Sequence, residues 1–124
     1  MNFPSELYYS SEHTWAKIDG DVAYIGISDF AQDQLGEILF VEMPEVEEEI
    51  AQGKAFGVVE SSKKASDLIA PISGEVLEVN EKLDDEPEYI NENAYDAWIV
   101  KVKVSDKGEL ENLLNASKYE SGIK

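Results

Sequence analysis

Apolar and polar positions alternate residue by residue through most of this chain, in short runs rich in β-branched and aromatic residues and bounded by turn formers. "HTWAKI" and "VAYIGIS" flank Asp19-Gly20-Asp21, which predicts a β-hairpin. The alternation then breaks at "SDFAQDQLG", where Phe30, Ala31, Gln34 and Leu35 share one face of a short helix. Ser28 or Asp29 can cap its first amides, and Gly36 can take the left-handed conformation that ends it. "EILFVEMP" reads as a strand stopped at Pro44, "EVEEEIAQG" as an acidic connection, and "KAFGVVE" and "ASDLIA" as two arms around Lys63 and Lys64. Beyond the bend at Pro71, "GEVLEVN" is the next strand, and "EKLDDEPEYINENAY", interrupted by Pro87, reads as a loop. "AWIVKVKVS" predicts a last strand with Trp98, Val100, Val102 and Val104 on one side. "DKGELENLLNASKY" predicts a terminal helix over about 106–119, with capping-box spacing at Asp106 and Glu109 and a stripe of Leu110, Leu113 and Leu114.

One pattern occurs twice. "GEILFVE" from Gly36 matches "GEVLEVN" from Gly74 in glycine, glutamate and the aliphatics that follow, and each copy precedes an acidic, proline-containing loop and then an apolar strand. Two related β halves in one chain suggest a pseudo-symmetric sandwich, which limits exposed sheet edges. The expectation is one mainly β domain over residues 1–124, its core at about 7–104, with short peripheral helices and the terminal helix attached.

Composition narrows the function classes. An apolar fraction of 43% is that of a globular chain and argues against disorder. With 27 acidic and 10 basic residues the formal charge is −17, which repels nucleic acid and anionic lipid and fits docking onto basic protein surfaces. Absence of cysteine excludes disulfides, thiol catalysis and thiolate metal sites, and a lone His13 speaks against a histidine metal site. No apolar run has the length of a membrane span, and no basic region followed by an apolar stretch opens the chain, so neither a membrane anchor nor a signal peptide is expected.

Against that acidic background, "VVESSKKASD" puts two lysines at the tip of a hairpin, where another protein reaches most easily. Small polar neighbours leave room for an enzyme to grip the backbone, and the stiff flanking arms make a pedestal. An amine so placed suits attachment of a prosthetic group through an amide. Chemistry alone does not say which group, or which of the two amines.

"GVVESSKKASDLIAPISGEVLEVNEKL" resembles the lipoylation segment of the glycine cleavage system H-protein family, whose pattern runs Glu-Ser-Val-Lys-Ala-x-Ser-Asp, then Pro-x-Ser-Gly-Glu-Val and Val-Asn. "HTWAKIDGDVAYIGISDFAQDQLGEILFVEMPEV", the stretch from Tyr89-Ile90-Asn91 and the Glu-Leu-rich terminal segment are similar to further family motifs in the same order, over roughly residues 7 to 119. The resemblance implies a barrel-sandwich hybrid of the lipoyl/biotinyl type. It places a lipoyl group on Lys63 within the motif Glu60, Ser61, Ala65 and Asp67, with Lys64 where the family commonly has alanine and Ser62 where it has valine.

The implied role is non-catalytic. The arm takes an aminomethyl group at glycine decarboxylase and delivers it to aminomethyltransferase, where tetrahydrofolate accepts the one-carbon unit, and dihydrolipoamide dehydrogenase reoxidises the dithiol. A lipoate-attaching enzyme completes the set of partners, and a soluble monomer is expected, cytoplasmic in a bacterium or in the mitochondrial matrix as a processed eukaryotic form. The family shelters the loaded arm in a cleft with acidic side chains around the protonated amine. Asp67 matches a cleft position; Thr14 stands where many members have glutamate, and Glu12 where serine is common, so Glu12 is expected to restore the acid lost at position 14. His13 and Trp15 match the family and are read as packing residues. Two alternatives keep the hairpin and change its use: lipoyl or octanoyl relay to 2-oxoacid dehydrogenases, and biotin carriage, which the absence of methionines beside the lysine disfavours.

Overall fold

The computed structural model describes residues 2–123. The first hairpin is β2 (Thr14–Asp19) and β3 (Val22–Ile27), preceded by the two-residue β1 (Tyr8–Tyr9). Helix α1 (Asp29–Leu35) follows, then β4 (Ile38–Glu42), β5 (Glu49–Ile50) and the lysine hairpin of β6 (Ala55–Ser61) and β7 (Ala65–Ile69). The chain continues through β8 (Gly74–Val79), α2 (Lys82–Asp85), α3 (Tyr89–Glu92) and β9 (Val100–Val104), and ends in a 3-10 segment (Lys107–Asn112) and α4 (Ala116–Gly122). One antiparallel sheet has the order β1-β2-β3-β9-β8-β5 and the other β4-β6-β7.

The repeat in the sequence is a repeat in the sheets. β4 carries the first copy and pairs with β6; β8 carries the second and pairs with β9. Both pairings slip at the same step. Ile38 faces Ser61 and Phe40 faces Glu60, leaving Leu39 as the extra residue, while Val76 faces Val102 and Glu78 faces Lys101, leaving Leu77. Leu39 and Leu77 are both exposed. A bulge bends its strand and sharpens the local twist, so each half curls over the core at the same point.

Alternation decides what lies inside. Ala23 and Ile25 of β3, Val59 of β6, Val76 of β8 and Val100 and Val102 of β9 are buried together with Ile38 and Val41 of β4 in the main core. A second, aromatic cluster of Leu7, Tyr9, Trp15 and Tyr119 gathers around α4, with Tyr24 and Trp98 against it. Tyr9 and Tyr119 stack with ring centroids 4.8 Å apart, and the indole of Trp15 donates to the Ile27 carbonyl at 2.9 Å.

Three expectations change. The segment read as a loop between β8 and β9 contains α2 and α3, whose Leu83 and Ile90 are buried in the main core despite the acidic, proline-bearing sequence. Trp98 precedes β9 and packs at 5.5 Å on Tyr24, apart from the buried face of Val100 and Val102. The terminal helix expected over about 106–119 is two pieces, because Leu113 is extended (φ −98°, ψ 164°) and Leu114 pairs with Tyr9 as a β-bridge. Asp106 does cap the first piece, accepting from the Gly108 amide. The Glu109 carboxylate goes elsewhere: it accepts from the amide and hydroxyl of Ser73 at 2.8 and 2.9 Å, so tertiary contact displaces the capping box. The leucine stripe is divided accordingly, Leu110 on the main core and Leu114 on the aromatic cluster.

Trp15 lies against Gly26, where an added Cβ would stand 2.6 Å from the indole. Gly26→Ala therefore has to displace the ring or the strand, and is expected to cost about 1–3 kcal/mol. A lower urea midpoint at unchanged m-value is the measurement.

Candidate functional site

The turn between β6 and β7 is tied down atom by atom. The Ser61 amide donates to the Lys64 carbonyl at 2.8 Å, and the Ser61 hydroxyl accepts from the amides of both Lys63 and Lys64 at 3.2 Å. The Ser62 amide donates to the Glu37 carbonyl at 3.0 Å, which joins the tip to the link between α1 and β4. That link is held in its turn by Asn91 of α3, whose side chain donates to the Gly36 carbonyl at 2.8 Å and accepts from the Ile38 amide at 2.9 Å. The hairpin is thus docked at its end as well as along its arms.

The two lysines, both exposed, take different directions. Lys63 runs over Gly36, where an added Cβ would stand 3.3 Å from its Cε, and the φ of +81° at that glycine further disfavours a side chain. Lys64 faces a cleft of about 250 Å³ beside the hairpin. Glu60 and Ala65 face each other where the arms meet the turn.

One wall of the cleft is the helix face anticipated from spacing, Phe30, Ala31, Gln34 and Leu35 of α1. Ser28 caps this helix, its Oγ accepting from the Ala31 amide at 3.2 Å, and Gly36 ends it. The opposite wall brings Glu12, Thr14 and Asp67 together from the turn before β2, from β2 and from β7. Glu12 and Asp67 are exposed carboxylates. Thr14 is different: it is 1% exposed, its hydroxyl donates to the Ile69 carbonyl at 2.9 Å, and Ser10 Oγ lies 2.7 Å away. Both of its hydrogen-bonding capacities are used in bracing β2 against β7, so it shapes the wall without offering a polar contact.

His13 packs, as its place beside Trp15 suggests, and it also lines the cleft. Its φ is +71°, its ring lies 5.0 Å from Phe30, and its Nδ1 is 2.8 Å from the Tyr119 hydroxyl. Burial holds its pKa below the usual imidazole value, opposed by the nearby Glu12 carboxylate. Tyr119, far away in sequence, carries no local signal of this contact. Gly36 and Asn91 as supports of the lysine turn are also beyond sequence reasoning, although both lie in the motifs quoted above. Among the described residues, no cluster of three or more His, Asp and Glu side chains is arranged to hold a metal, and no helix is long and apolar enough to cross a membrane.

Two curled, repeated β halves with a lysine-bearing hairpin at the edge make this a barrel-sandwich hybrid of the lipoyl/biotinyl type. The model of the family described as Glycine cleavage H-protein matches residues 7–124. The chain is 64% identical over 124 residues to the glycine cleavage system H protein of Clostridioides difficile (strain 630), covering 99% of each. It is 59% identical over 119 residues to that of Alkaliphilus oremlandii (strain OhILAs), covering 96% of this chain and 94% of the relative. The crystal structure of a glycine cleavage system H protein from Mycobacterium marinum superposes with a TM-score of 0.89 at 38% identity, covering 98% of both chains. This chain belongs to the glycine cleavage H-protein family.

Ser61→Ala removes the oxygen that receives both lysine amides. Exchange of the Lys63 and Lys64 amides is expected to quicken by up to about tenfold, the equivalent of one modest hydrogen bond. Hydrogen exchange read by NMR checks this, with the amides of the main core as unchanged controls.

Proposed function

We propose that Lys63 carries lipoate in amide linkage and that the chain is the shuttle of glycine cleavage, taking the aminomethyl group from glycine decarboxylase to aminomethyltransferase. The observation that carries this reading is the pairing of an exposed Lys63 on a fully tied turn with a bed made by Gly36, which lacks the Cβ that would crowd the lysine methylenes. The residues present fit the group: the amine is reachable, and beyond Gly36 lies the apolar face of α1, about 10 Å long at 1.5 Å per residue. When bound, lipoate supplies a dithiolane that opens to accept the cargo and is closed again by dihydrolipoamide dehydrogenase.

What the chain itself does is hold and shelter. The fixed turn offers the two amines in different settings, Lys64 in the lining of the cleft and Lys63 over Gly36 at the end of α1, so an attaching enzyme meets one of them on the turn. Leu35, Ala31 and Phe30 cover the alkyl part of a folded-back arm, and Glu12 and Asp67 face a cargo ammonium. The protein performs no bond chemistry in this scheme. With a formal charge of −17 it approaches enzymes through basic docking surfaces, as a cytoplasmic monomer.

Intact mass and peptide mapping after expression with lipoate and its attaching enzyme test the assignment. Wild type and Lys64→Ala are expected to gain one lipoyl group on Lys63, and Lys63→Ala none, with loss of glycine-dependent methylene transfer. Lipoylation at Lys64, or transfer sustained by Lys63→Ala, overturns it. Glu12→Gln is expected to shorten the lifetime of the loaded arm by up to about fivefold, the upper end for one exposed ion pair; release of formaldehyde from isolated loaded protein measures it.

A further inference from the structure

A chain of hydrogen bonds runs from the terminal helix to the cleft, and its protons can be counted. The Ser28 side chain is buried, and its Oγ accepts from the Ala31 amide. Its proton needs an acceptor, and the oxygen beside it is the Tyr119 hydroxyl at 2.6 Å. With Ser28 donating, the Tyr119 proton goes to the other neighbour, Nδ1 of His13, at 2.8 Å. Nδ1 is then the acceptor nitrogen, and a neutral imidazole must carry its proton on Nε2. The reverse order, with Nδ1–H donating to Tyr119 and Tyr119 to Ser28, leaves the buried Ser28 proton without a partner. A protonated ring also donates from Nδ1, which leaves either the Ser28 or the Tyr119 proton without a partner, so the network favours the neutral form.

We propose that Tyr119, backed by Ser28, is a positioning residue that locks His13 as the neutral Nε2–H tautomer, so that the imidazole in the cleft wall has no lone pair to offer a bound ammonium. The consequence is chemical, and it rests on the reading of the cleft as a shelter for the aminomethyl cargo. A protonated amine beside a thioether is inert because its nitrogen pair is bound. A base that removes that proton frees the pair to expel the sulfur as thiolate, and water then takes the methylene as formaldehyde while ammonia leaves. An imidazole with a free Nε2 is the strongest neutral base the cleft could present. The other groups lining the cleft do not replace it: Glu12 and Asp67 are carboxylates suited to holding an ammonium, Lys64 is a cation, and the Tyr119 proton is committed to Nδ1.

His13 is the single histidine, so its ring nitrogens can be read without ambiguity in a ¹⁵N long-range correlation spectrum of the protein without lipoate. Wild type is expected to show the Nε2–H tautomer, and Tyr119→Phe, which keeps the ring stacked on Tyr9, a mixture of tautomers. Loaded Tyr119→Phe is expected to release formaldehyde several-fold faster. Adding His13→Gln to Tyr119→Phe is expected to restore the lifetime, because a carboxamide donates but is not a base; urea unfolding of each variant shows whether the fold is kept. A wild-type Nδ1–H spectrum, a spectrum unchanged by Tyr119→Phe, or an unchanged lifetime once the tautomers mix overturns the proposal. A wild-type arm that decays as fast as the free cargo compound overturns the shelter reading instead, while the spectrum still decides the tautomer.

Discussion

The backbone from Gly36 to Ile38 is the platform on which the lysine hairpin rests. Asn91 grips it from one side through the Gly36 carbonyl and the Ile38 amide, and on the other the Glu37 carbonyl receives the Ser62 amide. Gly36 itself ends α1 with a positive φ and leaves space for the methylenes of Lys63. One short link therefore terminates the helix that walls the cleft, starts the strand that bulges at Leu39 and fixes the hairpin tip. Removing these contacts frees the tip to move on its β6–β7 arms alone, and in the proposed scheme a lysine that wanders is a poor substrate for the attaching enzyme.

Thr14 and Glu12 line the same cleft in different ways, one as a brace and one as an exposed acid. A long acid at position 14 would start from a strand position whose hydroxyl here is inside the wall, tied to Ile69 and Ser10. Thr14 converts that position into a brace between β2 and β7. Glu12 sits in the tight turn before it, where the Ser10 hydroxyl receives the amides of both Glu12 and Thr14. The carboxylate is thereby held near the cleft from a loop rather than from the strand. With Asp67 of β7 on the same wall, the cleft is lined by two acids and by the cationic Lys64.

Local signals were the most legible in the sequence. Ser28, Gly36 and the Asp19-Gly20-Asp21 turn each act within a few residues, and all three do what their chemistry suggests. The duplicated Gly-Glu run also told the truth, because matching residues bulge at matching steps. Residues 82–92 misled because acids and Pro87 dominate their composition, whereas their short helices are decided by two buried side chains, Leu83 and Ile90. The terminal leucines have helical spacing, yet Leu114 joins Tyr9 in a β-bridge and Asn115 starts a new helix by accepting from the Lys118 amide. The paired lysines were visible as an oddity from charge alone. The expectation that Lys63, Glu12, Thr14 and Asp67 belong to one site came from resemblance; the cleft brings together Glu12, Thr14 and Asp67 from separate elements, and no local pattern encodes their meeting.

The openness of this cleft follows from what a carrier has to do. Exposed carboxylates contribute only about 0–1 kcal/mol each as ion pairs, and α1 offers one short apolar face. As a binding site for a free ligand this is poor. A tethered arm does not need more, because a short linker gives its end an effective concentration of the order of millimolar. A cleft whose intrinsic Kd is also about 1 mM, about −4.1 kcal/mol, then holds the arm for half the time. A few contacts added or lost shift that balance tenfold per about 1.4 kcal/mol, so a partner's active site can draw the arm out without unfolding anything. In the proposed scheme, rigidity at Ser61, Ser62 and Gly36 and weakness at Glu12 and Asp67 are complementary: the base of the arm is fixed so that its end can be held lightly.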